Sequence, residues 1–121
     1  MSRSEFDYLR HILDEIKFLE NSIASVTAAE FFQSETLRRA SVRSLEIIGE
    51  ASKNISNEFK EAHLQIEWKA MAGMRDKLIH HYFGVDYEIV WDVVVHKIPG
   101  IKCMIMALFE GCEGSDNTNR V

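Results

Sequence analysis

The chain has 121 residues, 46% of them hydrophobic, so it has the length of one domain and too much apolar content for a disordered chain. Its formal net charge is −5, from 14 Lys plus Arg against 19 Asp plus Glu, which excludes a general phosphate-binding surface. If nucleic acid binds, it must bind at a local basic patch.

The cysteines and the N-terminus indicate a compartment. Cys103 and Cys112 have the spacing of neither a zinc site nor a disulfide framework, and Cys103 lies in an apolar stretch where we expect a buried thiol. The segment from Met1 to Glu5 lacks the apolar centre of a signal peptide, and no apolar run is long enough to cross a bilayer. We therefore expect a protein of the reducing cytoplasm that does not associate with membranes.

The first predicted helix starts at Ser4, which with Asp7 has the form of a capping box. Apolar residues then recur at alternating spacings of three and four, which predicts one long amphipathic helix. These residues are Leu9, Ile12, Ile16, Leu19, Ile23 and Val26.

A second capping box, Thr27 to Glu30, predicts a short helical turn, and Ser34 is expected to cap a second long helix over about 36–55. Gly49 lies inside that helix, where glycine costs about 1 kcal/mol relative to alanine. The compensation that we predict is the close approach of a neighbouring helix.

Residues 56–65 are polar and irregular, with room for one helical turn, and a third main helix is predicted over about 66–81. Asp86 is expected to cap a helix over about 87–96, and Pro99 fits the first turn of a last helix. The residues after Gly111 have the composition of a disordered tail. We therefore predict an all-α domain over residues 1–111, an up-and-down bundle of four main helices with one or two short extra helices, and a tail over 112–121.

The buried set of the third helix is expected to be Trp68, Met71, Met74, Leu78 and Ile79. Trp91 and the remaining methionines are also expected to belong to the core.

The run from Met74 to Phe83 concentrates side chains that suit catalysis: Arg75, Asp76, His80, His81 and Tyr82. Arginine is a permanent, bidentate partner for phosphate. Histidine has an ordinary pKa of about 6.5, which suits proton transfer near neutral pH. Together they would suffice for cleavage of RNA without a metal ion, whereas DNA lacks the 2′-hydroxyl nucleophile.

Helical geometry adds a constraint to this run. Asp76 and His80 are four residues apart, so on a helix Asp76 would orient the imidazole. Arg75 and His80 are five apart, which puts them about 140° apart around an ideal helix. Either the helix loosens near His80, or two copies of the chain pool these residues across a two-fold axis, and we favour the homodimer.

The pattern of Arg75, Asp76, His80 and Tyr82 resembles the RX4HXY motif of HepT-like proteins, which are minimal members of the HEPN superfamily. The resemblance extends over nearly the whole chain and includes the segments 45–51 and 68–75 and the pair Val90 and Trp91. Arginine and histidine at this spacing are common by chance. Their place after Ala72, Gly73 and Met74 and before His81 and Tyr82 makes the match specific.

The resemblance implies a toxin of a two-gene toxin–antitoxin system that acts as a metal-independent endoribonuclease at a homodimer cleft. By position, Arg75 and His80 would be the catalytic pair, and Asp76 would support them. A small nucleotidyltransferase of the MntA kind would be the antitoxin, and it would silence the toxin by transferring AMP to Tyr82. No cofactor is implied.

Plainer interpretations of these residues stay open. His80 could cap helix carbonyls, Arg75 could pair with Glu46 or Glu50, and Asp76 could simply balance a neighbouring charge. Tyr82 could be a packed ring with a solvated hydroxyl. A non-catalytic companion of a nucleotidyltransferase is the alternative function, and the acidic net charge favours it.

Two further clusters have alternative interpretations. Arg38, Arg39 and Arg43 form a basic stretch that is either a solvated helix face or an RNA contact. Glu46 and Glu50 are four apart but lack a histidine at metal-site spacing, which disfavours a metal site.

Overall fold

A computed structural model describes residues 3–80 and 84–112 of the chain. At residues 3, 80, 111 and 112 it describes the backbone alone. The helices are α1 (Arg3–Ile23), α2 (Ala28–Gln33), α3 (Glu35–Lys53), α4 (Asn57–Ala62), α5 (Trp68–Ala72), α6 (Met74–Leu78), α7 (Tyr87–Asp92) and α8 (Ile98–Cys112). Two short strands, β1 (Ile79–His80) and β2 (Gly84–Val85), form an antiparallel pair between α6 and α7.

The centre of the core is the packing of α1 against α3. Leu9, Ile12, Ile16 and Leu19 on α1 are fully buried, as are Leu45 and Ile48 on α3. The predicted apolar stripe of α1 is therefore confirmed, although Ile23 and Val26 at its end are only partly buried.

The predicted cap at Ser4 is wrong, because α1 already includes Arg3 and Ser4 lies within its first turn. Glu5, the next residue, is buried and its Oε1 accepts a hydrogen bond from the Ser56 amide at 3.3 Å. This contact ties the start of α1 to the start of α4.

The other predicted caps are confirmed. Thr27 and Glu30 form a reciprocal capping box on α2, and hydrogen bonds from Thr27 to the Glu30 carboxylate lower its pKa below 4.5. The hydroxyl of Ser34 accepts a hydrogen bond from the Leu37 amide at the start of α3. The short helix expected in the polar segment is α4, and Ser56 caps it, a cap that the sequence analysis did not predict.

Gly49 has the close neighbour that the sequence predicted. A Cβ atom at this position would lie 3.1 Å from the carbonyl oxygen of Met71 and 3.7 Å from that of Ala72. The backbone of α5 therefore crosses α3 at Gly49, so close that a side chain at this position would require the Met71 carbonyl to shift.

The prediction of one helix over 66–81 is wrong in its continuity. Gly73 separates α5 from α6, and α6 ends at Leu78, where Ile79 takes up extended backbone angles. A β-branched residue suits this extended conformation. The predicted buried set is confirmed for Trp68, Met71, Met74 and Leu78, and Ile79 is partly buried.

The last two predicted helices are one continuous helix. Asp86 caps α7 as expected, and a π-helical segment (Val93–Lys97) joins α7 to α8 without a loop. The Ile98 amide donates to the Val93 carbonyl, five residues back, and Pro99 directly follows. Proline has no amide and crowds the carbonyl four residues before it, so a wider turn at this point relieves the conflict.

Exposure on α8 corrects two further predictions. Cys103 is exposed rather than buried, and Met104 and Met106 are exposed rather than part of the core. Trp91 is partly buried, with its ring 5.0 Å from that of Phe31.

The all-α bundle prediction is confirmed. Its four main helical passes are α1, α3, the pair α5–α6, and α7 with α8, while α2 and α4 are the short extra helices. Within residues 3–80 and 84–112, no helix is both long and apolar enough to cross a membrane. The tail predicted over 112–121 lies outside the described residues, apart from the backbone of Cys112.

Candidate active site

Two buried anchors orient α6. Met74 and Leu78 face the core at a spacing of four, so the three residues between them, Arg75, Asp76 and Lys77, are exposed. A short helix that is fixed at both ends presents these charged side chains to solvent.

The chain returns immediately after α6. The Leu78 carbonyl accepts a 2.8 Å hydrogen bond from the Asp86 amide, and His80 pairs with Gly84 on β2. Gly84 has a φ of 73°, a left-handed conformation that favours glycine. The two strands therefore place His80 beside Gly84, close to the end of α6.

Arg75 projects from α6 toward α3. Its Nε donates to Oε2 of Glu46 at 3.1 Å, across a sequence separation of 29 residues. The side chain of Arg75 remains 63% exposed, whereas that of Glu46 is 29% exposed. Because the contact uses Nε, the terminal Nη groups carry the other four N–H donors of the guanidinium.

Arg75 and Glu46 lie at the edge of an open groove with a volume of about 460 Å³ between α1, α3 and α6. The polar side chains that line it are Tyr8, His11, Arg43, Glu46, Glu50, Asn54 and Arg75. The groove therefore combines two guanidinium groups with two carboxylates and one imidazole.

Asp76 is exposed on α6 and is absent from the lining of this groove. Asp76 and His80 are not one turn apart on a helix, because α6 ends at Leu78 and His80 lies on β1, and the orientation of the imidazole by Asp76 stays a prediction. For the same reason, the angle of about 140° between Arg75 and His80 does not apply to this backbone. The first alternative, a helix that loosens before His80, is what the structure shows.

The structure describes the four residues of the motif to different extents. Arg75 and Asp76 are described in full, His80 is described as backbone on β1, and Tyr82 lies outside the described residues together with His81. The expected roles of His80 and Tyr82 thus remain predictions.

The basic stretch on α3 has three different environments. Arg38 lies over the ring of Tyr87, 4.8 Å from its centroid, and Arg39 pairs with Glu35 at 2.7 Å on the surface. Arg43 lines the groove with Arg75. The solvated-face interpretation fits Arg39, whereas Arg43 is the member of the stretch that shares a surface with the candidate site.

Sequence reasoning did not assign Tyr8, His11 or Arg43 to the site. Arg43, Glu46, Glu50 and Asn54 follow one another at spacings of three, four and four, and Tyr8 and His11 are three apart on α1. This spacing marks one polar stripe on each helix, and it was the signal available in the sequence.

Carboxylates are close together in the groove, but a metal set is not formed. Within the part of the chain that the structure describes, no three His, Cys, Asp or Glu side chains lie close enough to hold a metal ion. Glu46 instead holds Arg75.

Comparison with known proteins gives a consistent set of relatives. “Putative RNase TTE0752” of Caldanaerobacter subterraneus is 47% identical over 103 residues, which are 85% of this chain and 92% of the relative. “Putative RNase MJ0127” of Methanocaldococcus jannaschii is 41% identical over 112 residues, 93% of each chain. “Probable ribonuclease HepT” of Thermococcus cleftensis is 47% identical over 102 residues, 84% of this chain and 93% of the relative.

No solved structure matches the chain. The family described as Ribonuclease HepT-like matches residues 12–108, which include α3, all four residues of the RX4HXY motif and the groove residues other than Tyr8 and His11. The chain belongs to the HepT-like family of the HEPN superfamily.

Proposed function

We propose that this protein is a cytoplasmic toxin of a toxin–antitoxin system and acts as a metal-independent endoribonuclease. The family and the names of the relatives support a ribonuclease. The observation that carries the proposal is the guanidinium of Arg75, exposed at the edge of an open groove and fixed through Nε by Glu46. A guanidinium held in this way offers its Nη edge to a phosphodiester.

In the proposed reaction, His80 takes the proton of the substrate 2′-hydroxyl and the 2′-oxygen attacks phosphorus. The bond from phosphorus to the 5′-oxygen breaks, the leaving oxygen takes a proton from a water molecule, and the protonated His80 returns its proton to the hydroxide that remains. The products are a 2′,3′-cyclic phosphate and a free 5′-hydroxyl. Arg75 binds the phosphorus oxygens as their negative charge increases, and Asp76 supports the pair electrostatically.

The change of backbone at Leu78 supports joint action by Arg75 and His80. Arg75 lies on a helix and His80 on the strand that follows, so the two side chains are not restricted to opposite sides of one cylinder. We further propose that the active form is a homodimer in which Arg75 and His80 of both copies face one cleft.

The decisive experiment compares RNA cleavage by the parent protein with that of Arg75→Ala and His80→Ala, in the presence of EDTA. We expect each variant to lose roughly 100-fold or more of the activity. Arg75→Lys keeps the charge but not the planar fork, and we expect it to lose most of the activity as well. The products from the parent should carry cyclic phosphate, and a DNA strand of the same sequence should stay intact.

Lys77→Ala is the matched control, because Lys77 is an exposed cation on the same helix that does not line the groove. It should cleave RNA at the parent rate. Light scattering on every variant checks that the dimer is kept. Parent-level cleavage by His80→Ala would refute the assignment, and loss of parent activity in EDTA would refute metal independence.

The alternative function is a non-catalytic companion of a nucleotidyltransferase. The internal ion pair of Arg75 with Glu46 favours it, because a guanidinium committed to a carboxylate is less available to a phosphate.

In the toxin proposal, an MntA-type antitoxin transfers AMP from ATP to the Tyr82 hydroxyl, releases pyrophosphate, and thereby silences the nuclease.

Intact mass after incubation with that enzyme and ATP separates the two functions. Addition of AMP to the parent but not to Tyr82→Phe, with loss of RNA cleavage, supports the regulated toxin. An unchanged mass together with no RNA cleavage by the parent supports the companion.

A further inference from the structure

A second cavity, with a volume of about 420 Å³, opens on the other side of α6. Its lining includes Met74 and Lys77, whereas the groove described above includes Arg75. Residues two apart on a helix point about 200° apart, so the cavity and the groove lie on different sides of α6. The volume lies in the range of small-molecule sites.

The floor of the cavity is aliphatic and thioether in character. Its apolar lining consists of Ile66, Met71, Met74, Val93, Ile101 and Met104. Methionine side chains adapt to flexible partners, and among the lining residues there is no Phe, Tyr or Trp, the imidazole of His96 at the rim being the one aromatic ring. The floor therefore suits a flexible aliphatic chain better than a planar base.

The rim of the cavity is mainly basic. Lys77 on α6 and His96 and Lys97 on the π-helical segment line it, together with one carboxylate, Glu67. Within the described residues, neither lysine forms an ion pair with a carboxylate. Two unneutralised ammonium groups at an apolar cavity complement a ligand that carries a negative charge at one end.

The π-helical segment that accommodates Pro99 also lies in the wall of the cavity. Single π turns in helices are costly and occur frequently at functional sites. Here the segment contributes Val93, His96 and Lys97 to the wall, and Gly100, beside which there is open space, contributes the next turn. The unusual helix geometry and the cavity therefore coincide.

From these observations we infer that the cavity binds an aliphatic carboxylate of medium chain length. The chain lies against the methionines, and the carboxylate lies between Lys77 and Lys97. The inference is independent of the proposed nuclease activity.

The experiment is an NMR titration of the full chain, labelled with ¹³C at the methionine methyl groups, with decanoate. The methyl signals of Met71, Met74 and Met104 should shift and saturate together. Met106, exposed on α8 and outside the lining, is an internal control and should not move. A shift of Met106 in parallel with the other three would indicate adsorption to the surface and would overturn the inference, as would the absence of saturation.

Variants test the two ends of the ligand separately. Ala70→Leu puts a larger side chain into the cavity from an exposed position, and should weaken decanoate about tenfold or more. Lys97→Gln should weaken decanoate roughly twofold to fivefold and leave binding of decanol unchanged. Lys53→Gln, an exposed lysine on α3 that does not line the cavity, is the control. Equal affinity for decanoate and decanol in the parent would refute the carboxylate.

Discussion

Two regions of the molecule are stabilised in different ways. One is the pair α1–α3, and the other is the segment formed by residues 66–80 and 84–86, here called the site segment. The two long helices contain 21 and 19 residues and are held by periodic stripes of fully buried aliphatic side chains. The two helices of the site segment have five residues each, and most of their amide and carbonyl groups have no partner within the helix. The site segment therefore depends on a few buried side chains and on single backbone contacts with other elements, whereas a long periodic stripe fixes each helix of the long pair.

Two contacts illustrate this dependence. The Leu78 carbonyl accepts from the Asp86 amide, and the backbone of α5 lies against Gly49. Each contact is formed between residues far apart in the sequence or on separate elements. The lesson is that the exposed charges of Arg75 and Asp76 are carried by a locally weak element on a strong support.

The largest effect on the free energy of unfolding is expected when buried volume is removed from each region. Ile48→Ala on α3 should lower the free energy of unfolding by about 2–5 kcal/mol, because Ile48 is fully buried where the surroundings cannot collapse. Leu78→Ala, equally buried at the end of α6, should lie at the low end of this range. Urea unfolding followed by circular dichroism measures both, and a larger loss at Leu78 would reverse the comparison.

The crossing at Gly49 joins the two regions and can be tested with a matched pair of glycines. Gly49→Leu should lower the free energy of unfolding by about 1–3 kcal/mol, because the Met71 carbonyl occupies the space of the new side chain. Gly100→Leu, where no atom lies within 4 Å of the added Cβ, should be neutral or stabilising. Thermal unfolding gives the order of the two variants, and equal effects would show that the crossing is loose.

Asp86 tests the end of the site segment. Its Oδ1 accepts hydrogen bonds from the amides of Glu88 and Ile89 at 3.1 and 3.2 Å. Asp86→Ala should lower the free energy of unfolding by about 1 kcal/mol, and Asp86→Ser should recover most of it. Hydrogen exchange should show faster exchange at the start of α7 while the amides of α1 keep their protection.

The smallest effect on stability is expected at the ion pair that connects α3 to α6. Glu46→Ala should change the free energy of unfolding by less than about 1 kcal/mol, because Arg75 is largely exposed. If Glu46 positions Arg75, RNA cleavage should fall several-fold through kcat, and Glu46→Gln, which still accepts from Nε, should restore part of it. A rise in cleavage with Glu46→Ala would show that the carboxylate competes with substrate.

Features with local chemistry could be predicted from the sequence. The caps at Thr27, Ser34 and Asp86 use side chains that bind amides two or three residues away, and the apolar spacing on α1 defines its buried face. Gly49 was informative because a glycine inside a helix requires a compensating contact.

The end of α6 could not be predicted in this way. Trp68, Met71, Met74 and Leu78 keep a helical spacing, and the pairing of β1 with β2 that follows them depends on Gly84 and Val85, which come later in the sequence. Ile79 was the one local sign of an extended backbone. The exposure of Cys103 was missed because α8 carries apolar residues on its exposed side as well.

The candidate site was predicted in part. The motif identified Arg75, and of the two partners that the sequence left open, Glu46 and Glu50, the structure shows Glu46. The groove also brings Tyr8, His11 and Arg43 together with Arg75. This arrangement depends on how α1 packs on α3, which helical periodicity within one element does not reveal.

The crossing at Gly49 has a consequence for how this sequence can change over time. Its two sides are a residue without a side chain and backbone carbonyls, so neither side depends on the identity of Met71 or Ala72. The exposed residues of α5, Lys69 and Ala70, can change without altering the crossing, whereas Trp68 and Met71 are held by the core and a side chain at position 49 would press on the Met71 carbonyl. Sequence change along α5 is thus expected mainly on its exposed face, while the crossing itself constrains position 49 on α3.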